Sequence, residues 1–416
     1  MSLLESAQAQ ALLAETVVEP AAVRCCVRGL SSFLVRYLPL FYRKEQAANA
    51  SITIKGLLSD LQRKTCEPIA RRQGVTRKPI QFFVGAGLWN DEAVMAEMRQ
   101  QIVEERGNAR GILVFDGTSF VKKGKASCGV KRQWCGRLGK IENCQAGLFL
   151  AYATPEGYAP LDRRLCLPED WCQDRARRRK THVPPQVVFR KKWEMALDML
   201  EEHGAQVPHA WVAGDDEFGR SADFRAGLRE RHEGYVLDVP RDTLVRDLER
   251  RPPRGRRVWP LERAEEWLKR QPPRRWEEFT VGAGEKGPLH VRAMRVGVRA
   301  MHGKKIGPPE TLVVLRTLEA EPQTRFGLSN AGPEVPLAEL VRVLAQRHKV
   351  EELFEAAKGE VGLAHYEVRS WTGWHHHTAL ALLALWFVIR QRQRLGGKNP
   401  GADSTGNAQP LLTPAA

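Results

Sequence analysis

The chain has 416 residues, with 65 Lys+Arg against 49 Asp+Glu and a formal net charge of +16. Apolar residues are 43% and charged residues 27%, enough for a sizeable core, which excludes a wholly disordered, collagen-like or coiled-coil chain. The longest apolar run, Thr378 to Ile389, is short of the ~20 residues that cross a bilayer, and the N-terminal stretch lacks the basic region of a secretory signal.

Residues 1 to about 105 are expected to be helical, because 31–64 and 90–106 place apolar residues at three-to-four spacing among charges. Near residue 110 the texture changes. GILVFD (111–116) is a short apolar run bounded by Gly and Asp and is a predicted buried strand, followed by strands over 146–154 and 159–168. A basic loop leads into a predicted helix over 187–203. HAWVAGD (209–215), a short helix and YVLDVP (235–240) complete the set. Residues 241–307, with RRPPRGRR and QPPRR, read as an insertion with an irregular or β-rich surface rather than a core. Strand-like runs return at 289–300, 310–318 and 325–331. Pro336 opens a predicted helix to 360, and a last helix covers about 373–395. This order predicts an α/β fold, a mixed sheet with helices on both faces. Its parts are a helical module (1–105), a sheet core in two pieces (106–240 and 331–396), an insertion between them (241–330) and a disordered tail (397–416).

The surplus charge points to a polyanion partner, and its placement is informative. Seven Lys/Arg and no acid lie between Gly117 and Ile141, and eight and none between Arg175 and Lys192. A single basic run is usually a solvated face; two acid-free stretches inside folded sequence favour a phosphate-binding surface. The eight cysteines form no C-x-x-C pair, and the gaps between Cys128, Cys135 and Cys144 match no common zinc spacing, so reduced thiols are expected. His375, His376 and His377 occupy successive helix positions, diverge, and cannot share one ion. Trp371, Trp374 and Trp386 read as packing of the last helix. No G-x-x-x-x-G-K-S/T loop occurs, so no nucleotide hydrolysis is implied.

Two acids stand out by position. Asp116 closes the first predicted strand and Asp215 closes HAWVAGD, at the strand ends where open α/β sheets place ligands. Either alone reads as the cap of a turn. Two of them, each near a basic stretch, suit phosphodiester chemistry, in which carboxylates hold two Mg²⁺ ions ~3.5–4 Å apart. The helix 336–360 offers Glu351, Glu352, Glu355 and Glu360 as a third acid, and spacing alone leaves that choice open.

Four stretches, taken in order, carry a resemblance. They are 115–147 (FDGTSFVKKGK onward), 165–179 (LCLPEDWCQDRARRR), 212–219 (VAGDDEFG) and 350–385 (VEELFEAAKGE onward). Together they resemble bacterial insertion-sequence transposases of the DDE superfamily, over roughly residues 30–390. The resemblance implies a ribonuclease-H-like core in which Asp116, Asp215 and Glu351 hold two Mg²⁺ ions, with Mn²⁺ able to substitute. Glu351 is selected by the related signature Tyr-x2-Arg-x3-Glu-x6-Lys, which Arg347, Glu351 and Lys358 fit in one register. Leu344 stands at the Tyr position, and His348 stands where a Trp is usual. Asp216 competes with Asp215, and the Asp-x-x-Phe-Gly spacing favours Asp215.

By the same resemblance, Arg347 and Lys358 would hold transposon-end phosphates, and Lys122, Lys123 and Lys125 the same backbone. The helical module would recognise the ends, and the β-rich insertion between the second Asp and the Glu would lie near the cut. The implied activity is metal-dependent cleavage of double-stranded DNA at terminal inverted repeats and strand transfer into target DNA. A homodimer would act in a synaptic complex, in the bacterial cytoplasm at the nucleoid and away from membranes. The alternatives are a ribonuclease-H-like nuclease that cuts without joining, and a domesticated DNA-binding protein derived from a transposase.

Overall fold

The computed structural model of the chain describes residues 29–394 apart from 256, 285, 286 and 320. The expectations for 1–28 and for the 397–416 tail lie outside the described residues. Residues 29–35 are helical, followed by α1 (Lys44–Leu57), α2 (Cys66–Arg72), α3 (Arg77–Gly85) and α4 (Asp91–Arg106). The start of α4 is set locally: Asn90 Oδ1 accepts from Ala93 N at 3.2 Å, and Asp91 and Glu92 sit in the positive first turn. Its Val94, Met95, Met98 and Ile102 form a buried stripe.

The strands β1 (Ile112–Val121), β2 (Lys131–Cys135), β3 (Lys140–Thr154) and β4 (Gly157–Cys166) come next. Then follow α5 (Lys192–His203), β5 (Trp211–Gly214), α6 (Ala222–Glu230) and β6 (Tyr235–Val239). The insertion carries β7 (Leu244–Asp247), β8 (Glu262–Arg263), β9 (Glu277–Gly284), β10 (Gly287–His302), β11 (Lys305–Thr317) and β12 (Thr324–Ser329), and the long helices α7 (Leu337–Glu360) and α8 (Trp371–Arg394) close the fold.

All these strands belong to one mixed sheet, ordered β2-β3-β1-β5-β6-β12-β11-β10-β7-β8, with β4 beside β3 and β9 beside β10. β1, β5 and β6 are mutually parallel, and the remaining pairings are antiparallel. β12 pairs with β6, so the insertion extends the sheet instead of standing apart from it. It also has its own apolar core, with Trp267, Val245, Met294, Val298 and Leu312 buried, which corrects the expectation of a coreless segment. Its Pro- and Arg-rich stretches occupy the connections, while alternating Val and Ala in β10 face inward.

Three local expectations also change. β1 does not end at Asp116 but continues to Val121, because β3 extends to Lys140 and keeps pairing with it after β5 has stopped at Gly214. β2 was not legible: KRQWC carries little apolar content and is a largely exposed edge strand. The helix expected from 187 starts at Lys192, where the Glu194 side chain accepts from Lys191 N at 2.9 Å, the returning half of a capping box.

Successive strand residues face opposite ways. Phe115 packs on Phe218 and Phe224, at centroid distances of 6.0 and 6.2 Å, so α6 and the turn before it cover that face. Asp116 faces the other way. Phe149, its cross-strand partner, packs on Phe354 and Trp374 at 5.0 and 6.4 Å, which places α7 and α8 over the face that bears Asp116. One apolar core runs from Leu30 to Phe387, so the N-terminal helices share it with the sheet and α8. The three histidines of α8 are tethers to separate carbonyls: His375 to Trp371 O, His376 to Trp89 O and His377 to Gly362 O. Among the described residues the cysteines are free thiols, and no helix is long and apolar enough to cross a membrane.

Candidate active site

The register places the acids. β1 pairs with β5 at Phe115–Gly214, and β5 with β6 at Gly214–Leu237. One position further on stand Asp116, Asp215 and Asp238, a row of three aspartates across three parallel strands beneath α7. Asp116 is only partly exposed, and its carboxyl is pushed up to about 7, first by burial and then by the charges of Asp215 and Glu351, with Arg347 and Lys358 opposing. Asp215 is pushed up to about 6 by burial and by Glu217 and Asp216. Glu351 belongs to this group through its charge on Asp116 and lies on the part of α7 above the row.

The Asp-x-x-Phe-Gly spacing has a physical cause. Asp215 Oδ1 accepts from Glu217 N at 2.9 Å and starts a single helical turn, Asp216–Gly219. That turn buries Phe218 against Phe115 and Phe224. It also lays Gly219 on the β6 backbone, so closely that an added Cβ would lie 1.8 Å from the Asp238 carbonyl oxygen. Only glycine fits there, and the contact fixes the height of Asp215 beside Asp116. Asp216 instead faces outward and pairs with Arg220 at 2.9 Å.

The cations expected to meet DNA are not equally placed. Arg347 is nearly buried: its Nε lies 2.7 Å from Asp238 Oδ2 and its Nη2 2.7 Å from Glu351 Oε1. Lys358 is largely covered and pairs with Glu355 at 3.0 Å. Lys122 turns inward over the Tyr366 ring, 3.3 Å from its centroid, and donates to the Tyr366 carbonyl; burial lowers its ammonium to about 7. Lys123 and Lys125 are exposed on the loop after β1.

Three residues near the acids were missed from sequence. Asp238 is buried; its Oδ2, in ion-pair contact with Arg347, accepts from Arg325 at 2.6 Å, and its Oδ1 has no hydrogen-bond partner among the described residues. The signal was present, an Asp in the otherwise apolar YVLDV. Lys192 and Glu217 pair at 2.5 Å next to Gly117, where an added Cβ would meet Lys192 Nζ at 3.1 Å. Lys192 ends the second basic stretch, and only the fold brings it to Glu217 and near Asp215. Burial lowers its proton affinity, but Glu217 and Asp215 outweigh this and keep it raised.

The donor set suits a hard divalent cation. It is all oxygen, and the mutual repulsion and burial of Asp116 and Asp215 leave a demand for positive charge that Arg347 meets only in part. Among the described residues no three such side chains already stand grouped as a ligand set, and Glu351 is engaged by Arg347.

A family model described as DDE superfamily endonuclease matches residues 36–301, which include Asp116 and Asp215 and stop short of Glu351. A relative, a probable transposase for insertion sequence element IS701 from Microchaete diplosiphon, is 28% identical over 156 residues, covering 35% of this chain. The chain spans 41% of that relative's own length. With well over half of its length matched, the chain belongs to the DDE superfamily endonuclease family.

Proposed function

We propose that the protein is a DNA transposase that cuts at the ends of an insertion element and joins the freed ends to target DNA. The observation that carries this is the row of Asp116 and Asp215 under the Glu351 helix, with Lys192, Arg347 and Lys358 around it. The strand order β4-β3-β1-β5-β6, antiparallel on the first side of β1 and parallel on the other, supports a ribonuclease-H-like core. Asp116, Asp215 and Glu351 would hold Mg²⁺, which supplies a Lewis acid to the attacking and leaving oxygens when bound.

The residues of the chain do the rest. Asp116 and Asp215 present oxygens side by side because two parallel strands hold them in register. Arg347 holds Glu351 against Asp238 until the carboxylate turns toward the row. Arg347 and Lys358 bring positive charge to Asp116, beside which a phosphodiester must sit. In the first step a water oxygen bonds to phosphorus and the bond to the 3′ oxygen breaks, that oxygen leaving as a hydroxyl. In the second, the hydroxyl attacks a target phosphodiester by the same in-line exchange, so the same groups serve both steps. Duplex DNA is the substrate on this reading, and two ends cut together would need a homodimer.

The test uses duplexes carrying the element end. The wild-type protein with Mg²⁺ should nick them and, given a pre-cut end, form strand-transfer products, while Asp116→Asn should bind without nicking. Nicking without any joined product would leave the nuclease reading in its place. Binding with no nicking by the wild type would leave the DNA-binding reading.

A further inference from the structure

Beyond Val121 and Ala146 the sheet narrows to two strands. Among the described residues, 131–135 of β2 pair only with β3, and no strand flanks the pair at its tip. The turn that closes it places Gly139 at φ +59°, the left-handed conformation that a residue with a Cβ adopts only at a cost. This two-stranded ribbon exposes apolar side chains that a solvated edge does not need: Trp134 is 65% exposed, Ile141 60% and Leu138 44%. Trp134 and Ile141 are directly paired, so they form one patch.

The patch lies on the face that carries the catalytic acids. Directly paired residues share a face, and alternate positions along β3 keep it. The series runs from Asp116–Phe149 through Thr118–Gly147 and Phe120–Gln145 to Arg132–Asn143 and Trp134–Ile141. The cover from the α7–α8 connection ends where Tyr366 donates to Gln145 at 2.8 Å; next along the face Asn143 donates to the Lys122 and Gly124 carbonyls, and beyond it Arg132, Trp134 and Ile141 are exposed. A hollow of about 310 Å³ beside Arg132 and Asn143 is lined by Lys125 and Arg177. Asp170, which faces the same hollow, is paired with Lys131 at 3.0 Å, and Glu142 lies on the opposite face with Lys140.

We infer that the β2–β3 ribbon is a DNA-binding arm that enters the groove of the duplex being cut, a step that rests on the function proposed above. A major groove about 12 Å wide admits a two-stranded β-ribbon. Arg132, Lys125 and Arg177 would meet phosphates, and Trp134 and Ile141 would lie against sugars and base edges. Ile141 precedes Phe149 by eight positions, so the patch stands roughly 27 Å along the strand from Asp116. That is about eight base pairs of duplex from the scissile phosphate at ~3.4 Å per pair.

Full-length wild type, Trp134→Ala and Arg132→Ala should be titrated with a fluorescent mixed-sequence 30-bp duplex at several salt concentrations. Melting curves of both variants should match wild type, since both positions are exposed. Trp134→Ala is expected to bind about 5- to 10-fold more weakly, and Arg132→Ala to lower the salt slope by about 0.9. A photo-crosslinking residue at 134 should label the duplex about eight base pairs from the cut. If wild type binds and both variants match it in affinity and slope, the arm is wrong while the transposase reading stands. If wild type does not bind duplex DNA, the function itself fails. If Trp134→Ala only dissociates a dimer and leaves affinity per protomer unchanged, the face contacts a second copy and the inference is overturned.

Discussion

Arg347 Nε lies 2.7 Å from Asp238 Oδ2, joining the Glu-bearing helix α7 to the third strand of the aspartate row. The same guanidinium holds Glu351 at 2.7 Å, so Asp238 reaches Glu351 through one side chain. Asp238→Asn keeps the volume and removes the charge that Arg347 and Arg325 share. A buried pair that loses one partner is strongly destabilised, and partial exposure of Arg325 moderates the cost to about 2–3 kcal/mol. Chemical denaturation should show that loss, and nicking should fall at least about tenfold because Glu351 loses its support. Wild-type nicking by Asp238→Asn would show that the relay does not position Glu351.

Glu351 and its neighbour Glu352 make a paired control. Glu351 is partly buried beside Arg347, whereas Glu352 is exposed. Glu351→Gln is expected to abolish nicking with duplex binding retained, while Glu352→Gln stays within about twofold of wild type. The opposite ranking would move the third carboxylate one residue along the helix.

The pH response of Asp116 has a definite sign. Its carboxyl ordinarily titrates near 3.8 and in the fold near 7, so the folded state holds the proton longer. The associated stability is complete below pH 4 and is lost as pH rises through 7. Asp116→Asn does not titrate, so without divalent cation it should gain roughly 1–3 kcal/mol on wild type between pH 4.5 and 7.5. His375, His377 and Lys122 titrate in both proteins and cancel in the difference. Added Mg²⁺ should stabilise wild type more at pH 8 than at pH 5.5, when Asp116 and Asp215 are ionised. A pH-independent difference would mean that Asp116 is not in this buried acidic setting.

Gly219→Ala tests the packing that sets Asp215. The new methyl would meet the Asp238 carbonyl at 1.8 Å, and backbone on both sides must move. A loss of about 2–4 kcal/mol and sharply reduced nicking are expected. Gly124, with nothing within 4 Å of an added Cβ, serves as the control, and Gly124→Ala should be near neutral in stability.

The two apolar runs ending in Asp116 and Asp215 were readable because buried parallel strands need continuous apolar sequence, and an acid at the boundary breaks that pattern. The long helix α7 was readable from Pro336 and its apolar spacing. β2 was not, since an exposed ribbon obeys no burial pattern, and Asp238 is not legible as a site residue because it lies inside a strand rather than at a visible end.

By itself the sequence determined which segments must be buried, where basic residues concentrate, and which acids interrupt apolar strands. These follow from local composition, because burial and helix or strand periodicity are set by neighbours along the chain. Only the tertiary structure decided that Asp116, Asp215 and Asp238 form one row, that Arg347 is spent on two carboxylates, that Lys122 faces inward and that Trp134 shares a face with the acids. Those are matters of strand register and helix placement, fixed by contacts such as Lys122 to Tyr366, 244 positions apart, that no local pattern encodes.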